Sequence, residues 1–379
     1  MKYHLVNWCP GAELSSGKFI QSDNYFIESV NDCRSAGLNP FNYGLLPCKD
    51  GQESSVVFEI SERITNRLEV TLKYCNAVTG EGVRLYYDHL SSAPLKADYT
   101  FSESASEDTG GETCYFHVIL SVDPFSRVAT GIPDVRETPL HYPDIVPCYR
   151  LFLLPAEDES VREPGGHYLI VGRIRRARGR CELDTDFIPP ATSMASHTRL
   201  SRYHNQFISL MNAIEDNSVR MIQKINNTPD SNSISANLQA LCHSTLSDIS
   251  RIYFSYTSSG LFWMPIEVVS CFSTLAHHLF VALQCLNKKE KEQLLNYFYE
   301  WDDLKPGDLE SLLKEITDIH YDHSSISKVM FQISNFLMIL SGLWAKMASL
   351  ELIGQHKESI IISERETAPI LPKKKRWFD

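Results

Sequence analysis

Residues 186–200 read DFIPPATSMASHTRL, and the chain changes character across them. Upstream it reads as strands and turns; downstream it reads as helices. Pro189 and Pro190 forbid helix at Phe187 and Ile188, because a proline ring clashes with an α conformation in the residue before it. Ser193 or Ser196 then offers a side-chain oxygen to cap a new helix. The residues that follow, Leu200, Tyr203, Phe207, Leu210, Ile214, Asn217 and Met221, recur at alternating three-and-four spacing. That is the heptad of a helical seam, with Asn217 as the polar core position that fixes register. The same pattern returns near the end of the chain. One column holds Ile326, Ile333, Leu340 and Met347, its partner holds Val329, Phe336, Leu343 and Leu350, and Met330, Leu337 and Trp344 widen the stripe. Two such seams offer more apolar surface than one chain of this size readily covers, which predicts a homotrimer held through its helical half.

The expected organisation follows from that junction: an N-terminal arm (1–47), an antiparallel β-sandwich or barrel (48–190), a helical bundle (191–356) and a tail (357–379), an α+β chain. Strands are expected at 55–60, 67–79, 83–88, 97–102, 113–123, 148–154 and 167–180, from period-two alternation bounded by Gly, Pro and Asp. Helices are expected at 200–225, 235–256, 265–286, 288–299, 305–319 and 325–354. The arm, with Trp8, Gly11, Leu14 and Phe19, shows no periodicity that would tie it to the strands, so its aromatic residues are expected to anchor a partner.

With 379 residues, 22% charged and 43% hydrophobic, the chain has the composition of a soluble two-domain protein. Its net charge of -11 excludes a general nucleic-acid binder. Ten scattered cysteines without a CxxC pair suit reduced thiols in the cytoplasm. The N-terminus has no apolar signal core. The apolar stretch 260–286 is interrupted by Glu267, His277 and His278, which fits a bundle helix better than a membrane span.

Catalytic constellations do not emerge. There is no phosphate loop, no G-x-S-x-G elbow and no H-E-x-x-H, so no catalytic, metal-ligating or cofactor-binding residue is assigned. His320 and His323 are the one pair at metal-ligand spacing, and a third ligand is not identifiable. His277 and His278 point in different directions on a helix, a partnered core histidine beside a surface one. Arg173, Arg175, Arg176, Arg178 and Arg180 form a dense basic run on a strand with a bulge at 177–179. It reads either as a solvated hairpin tip or as an anchor for an acidic partner. Lys373, Lys374, Lys375, Arg376, Trp377 and Phe378 read as a docking peptide or a disordered end.

Four short motifs, in order, carry a resemblance. Val6-Asn7-Trp8-Cys9-Pro10-Gly11-Ala12-Glu13-Leu14 is similar to V-x-W-x-x-G-M-x-L, with Ala12 in place of Met, and Phe19 and Gln21 stand near an H-F-Q step. Tyr43-Gly44-Leu45 is similar to W-G-L. Phe187-Ile188-Pro189-Pro190 followed by Ala195-Ser196 and Leu200 is similar to Y-I-P-P…A-S…L. Tyr299–Leu304 resembles Y-x-H-x-D-L. The chain resembles the TssK family of type VI secretion baseplate subunits. That resemblance implies a trimer with a β-rich shoulder like that of phage receptor-binding proteins, a helical neck and a C-terminal head. It also implies partnership with a TssF/TssG wedge and an envelope-anchored complex, in the cytoplasm at the inner membrane. Within that frame, Trp8, Gly11, Leu14 and Phe19 are expected at the wedge interface and Ile188, Pro189 and Pro190 at the domain junction. After His323 only one long helix and a tail follow, so the head is expected to be missing. Residues 373–378 are then the docking element toward an envelope protein. The rival readings are a phage-tail adhesin and a metal enzyme built on His320 and His323.

Overall fold

The computed structural model describes residues 2–48, 54–63, 67–90, 92–101, 113–157, 167–229, 232–302 and 304–357. It combines antiparallel sheets with helices, an α+β chain. Two compact units divide it. One holds residues 1–204, 258–269 and 321–330; the other holds 205–257, 270–320 and 331–379. Helices α2, α3, α4 and α7 therefore contribute residues to both.

The first unit begins with α1 (Ser16–Ser35), a helix where the sequence suggested an arm without periodicity. Two sheets follow. In the five-stranded sheet, β3 (Arg67–Val78) is central, pairing with β1 (Gly44–Leu45), β2 (Val56–Arg63), β4 (Arg84–Asp88) and β5 (Leu95–Thr100). Leu68, Val70 and Leu72 alternate into the core on β3, the period of two that marked the strand in sequence. The second sheet runs β7-β6-β8-β9, with β6 at Cys114–Thr130, β7 at Asp144–Pro155, β8 at His167–Ala177 and β9 at Arg180–Leu183. The sheets meet face to face. Phe58 of β2 lies against Gly172 of β8, where any Cβ would strike its ring. Tyr99 and Phe116 pack with ring centres 4.8 Å apart. The expected strand over 167–180 is two strands, because Arg178 and Gly179 form a tight turn instead of a bulge.

The junction at Pro189 and Pro190 is knitted into this unit. Leu45 donates its amide to Pro190 O at 2.7 Å, and Thr192 returns its amide to Leu45 O at 2.9 Å. Ile188 N donates to Ser327 Oγ at 2.8 Å, and Met194 N to Trp263 O at 2.9 Å. Gly44 has φ 110, and a Cβ there would overlap the Pro190 carbonyl. Only glycine permits both the conformation and the approach. Two motifs 140-odd residues apart, Tyr43-Gly44-Leu45 and Ile188-Pro189-Pro190, are thus one structural feature.

The helices are α2 (Thr198–Asn227), α3 (Ser233–Ser259), α4 (Pro265–Cys285), α5 (Lys288–Asp302), α6 (Pro306–Thr317) and α7 (Ile326–Ser349). In α2 the buried residues are Leu200, Tyr203, His204, Phe207, Met211, Ile214, Ser218, Met221 and Ile225. Leu210 and Asn217, expected in the seam, are half-exposed one position away. A straight helix turns 100° per residue, so from Phe207 the i+4 position falls closer to the buried face than i+3 does. Buried Ser218 is fully used, donating to Ile214 O at 2.7 Å and accepting from Trp344 Nε1 at 2.8 Å. The α7 columns Ile326, Val329, Met330, Ile333, Phe336, Leu337, Leu340, Leu343, Trp344 and Met347, with Leu350 just beyond, are all buried within the single chain. Lys224 Nζ caps the end of α7, donating to Ala348 O and Leu350 O at 2.7 Å each. The seams therefore need no second copy to cover them, and their apolar stripes give no reason for a trimer. Both α4 and the 323–349 segment are long and apolar enough to cross a bilayer, yet each buries one face in the chain itself.

Candidate partner-binding surface

Helix α1 buries a single residue, Asn24. Its apolar side chains face outward: Phe19 is 53% exposed, Phe26 56% and Val30 51%. At 100° per residue, positions 19, 26 and 30 fall within about 40° of one another, a true helical stripe turned away from the chain's own core. Polar contacts from Arg127, reaching Asp23 beside the stripe and Asn24 on the inward face, hold the helix down. Arg127 of β6 pairs with Asp23 at 3.3 Å and donates to Asn24 Oδ1 at 3.1 Å and Ile20 O at 3.4 Å.

The residues before α1 fold back along it. The Lys2 and Tyr3 amides donate to the Glu28 carboxylate at 2.5 and 2.8 Å, and Gln21 Nε2 donates to His4 O at 3.2 Å. Those two backbone hydrogen bonds hold the Glu28 carboxyl below the usual carboxylate range. Tyr3 packs on Phe125 at 4.9 Å. Trp8, 47% exposed, stacks on Phe19 with ring centres 5.8 Å apart. Gly11 sits at φ 85 with open space where a Cβ would be. Leu14 is exposed. The structure thus brings Trp8 and Phe19 together, places Gly11 and Leu14 on the same exposed segment, and adds Phe26 and Val30. The sequence held a signal for these last two, since Phe19, Phe26 and Val30 recur at seven and four. A second exposed apolar segment also escaped the sequence reading: β6 and β7 run on into residues 131–143, where Ile132, Val135, Leu140 and Tyr142 are exposed.

The histidine pair is not a ligand set. His320 is exposed, whereas His323 is buried with both ring nitrogens committed. Its Nε2–H donates to Tyr43 O at 2.9 Å, and its Nδ1 accepts from Tyr321 O–H at 2.9 Å. Burial lowers its pKa, so it is held neutral as a pin between the 43–45 turn and the start of α7. His278 meets buried Asp248 at 2.7 Å, and His277 is exposed. Among the described residues no three His, Cys, Asp or Glu side chains converge as a metal site requires. The ten cysteines are free, and burial pushes the Cys75 and Cys242 thiols up to about 12. Residues 373–378 lie outside the described residues.

No protein-family model matches the chain, and no curated protein matches its sequence. Solved structures do match. A chain of the baseplate complex from the type VI secretion system is 15% identical with a TM-score of 0.52, the match covering 90% of this chain and 100% of that one. A chain of the type VI secretion system TssK-TssF-TssG baseplate subcomplex is 14% identical with a TM-score of 0.50, covering 90% and 99%. A crystal structure of TssK is 16% identical with a TM-score of 0.50, covering 89% of this chain and 69% of that one. At such identities the likeness speaks for architecture, and the chain has a TssK-like fold.

Proposed function

We propose that this protein is a structural baseplate subunit of a type VI secretion system, a contractile injection machine, with no catalytic activity. Its role is to hold a TssF/TssG-like wedge and link it to an envelope-anchored complex, from the cytoplasmic side of the inner membrane. What supports the reading is an outward apolar stripe on a fold shared with subunits solved inside such baseplates. Trp8, Leu14, Phe19, Phe26 and Val30 are the wedge-facing residues, since exposed aromatic and aliphatic anchors are the side chains that dominate interface energies. A homotrimer belongs to the same reading and rests on the likeness alone, because the helical seams are already covered within one chain. Residues 373–378 are the proposed envelope-side element, linked copies gaining avidity through effective concentration.

Co-expression with the TssF and TssG of the same system tests this. The full chain is expected to co-purify with both, and a chain lacking residues 2–20 to fold and elute alone. A full chain that elutes apart from both subunits contradicts the proposal.

A further inference from the structure

The arginine run sorts into two groups. Arg173 belongs to the fold: it pairs with Asp184, whose side chain is 7% exposed, at 2.7 Å, and stacks over Tyr115 and Phe187 at 4.7 and 5.0 Å. Arg176 lies over the Phe101 ring at 3.7 Å. The other three are exposed at the tip of the β8–β9 hairpin. Arg175 reaches Glu182 only at 3.7 Å, both side chains half in solvent, a contact worth little. Among the described residues no carboxylate pairs with Arg178 or Arg180.

The turn itself is chosen against its geometry. Ala177 pairs with Arg180, so Arg178 and Gly179 are the two central residues, at φ 52 and 76. That mirror-image turn favours Asn, Asp or Gly at its first position; a long side chain at positive φ is disfavoured. An arginine there, exposed and with no carboxylate partner among the described residues, points to use rather than to folding.

We propose that Arg175, Arg178 and Arg180 form a docking point for an extended acidic protein segment. Arg180 lies opposite Ala177, on the face that Arg175 also occupies, which sets the two about 7–8 Å apart. Carboxylates on alternate residues of an extended strand repeat at about 6.8 Å and match that spacing. Guanidinium forks bind carboxylates two bonds at a time. A nucleic acid fits less well, because a chain of net charge -11 repels a long polyanion away from this tip.

The probe is a fluorescein-labelled eight-residue peptide alternating glutamate and serine, titrated at low salt and followed by anisotropy. The wild-type chain is expected to bind it, more weakly as salt rises. Arg178→Gly is expected to weaken binding roughly threefold or more while raising the melting temperature, because glycine adopts positive φ without strain. That opposition separates docking from folding. Arg178→Glu/Arg180→Glu, with an unchanged circular dichroism spectrum, is expected to abolish binding. The proposal is overturned if the wild-type chain does not bind the peptide, if these variants bind as it does, or if a single-stranded oligonucleotide of equal charge binds more tightly through the same arginines.

Discussion

Helices α1 and α7 both carry apolar residues at helical spacing, and they use them in opposite ways. On α7 the stripe is spent inside the chain, down to a Trp344 only 2% exposed. On α1 the stripe faces out and the contacts that fix the helix are polar, from Arg127 and the Glu28 carboxylate. Periodicity therefore identifies a helix but does not say what covers it. Where the chain itself cannot cover the stripe, the physical expectation shifts from stability to partnership.

If this contrast is right, substitutions should divide sharply. The largest effect belongs to Trp344→Ala, which removes a buried ring and leaves Ser218 without its donor; about 3–5 kcal/mol should be lost in urea unfolding. A loss under about 1 kcal/mol would mean that α7 is not a core helix. Gly44→Ala should cost about 3 kcal/mol, from the positive φ and the collision with Pro190, and calorimetry would read it as a lowered melting temperature.

Acid should weaken the fold at the start of α2. Burial, with Arg199 and Arg202 nearby, lowers the His197 pKa to about 4, and its Nδ1 accepts the Arg199 amide. The unfolded imidazole, near 6.5, binds the proton more readily. The stability is therefore complete above about pH 6.5 and lost as pH falls toward 4, by about 3 kcal/mol at the lower end. Melting curves from pH 7.5 to 4.5 should show the fall, and His197→Gln should flatten it.

A smaller and more local test concerns the register of α2. Met211→Ala should cost about 2 kcal/mol or more, and Leu210→Ala under about 1 kcal/mol. The reverse order would restore the heptad reading with Asn217 in the seam.

Much of the fold was legible because local chemistry and packing agree in it. Pro189 and Pro190 lie in the connection between the last strand and α2, as the change of pattern there implied, and the period-two and helical patterns placed β3 and α2 to α7 within a few residues. What stayed hidden lacked that agreement. Helix α1 has one buried residue, so no inward stripe announced it. Residues 131–143 carry Pro133, Pro139 and Pro143 among exposed apolar side chains, with no period to read. Leu210 and Met211 differ only in how far a straight helix departs from a heptad. That Gly44 exists for Pro190 was visible in neither motif alone, because the reason lies in their meeting.

The central claim is that the α1 stripe serves a partner and not the fold. The direct measurement is surface-immobilised binding of the TssF–TssG pair by the full chain and by its Phe19→Ser/Phe26→Ser/Val30→Ser variant, beside their urea midpoints. The account predicts a stability change within about 0.5 kcal/mol per site and a loss of binding of roughly thirtyfold or more. A variant that binds as the wild type does, or one that unfolds, would contradict it.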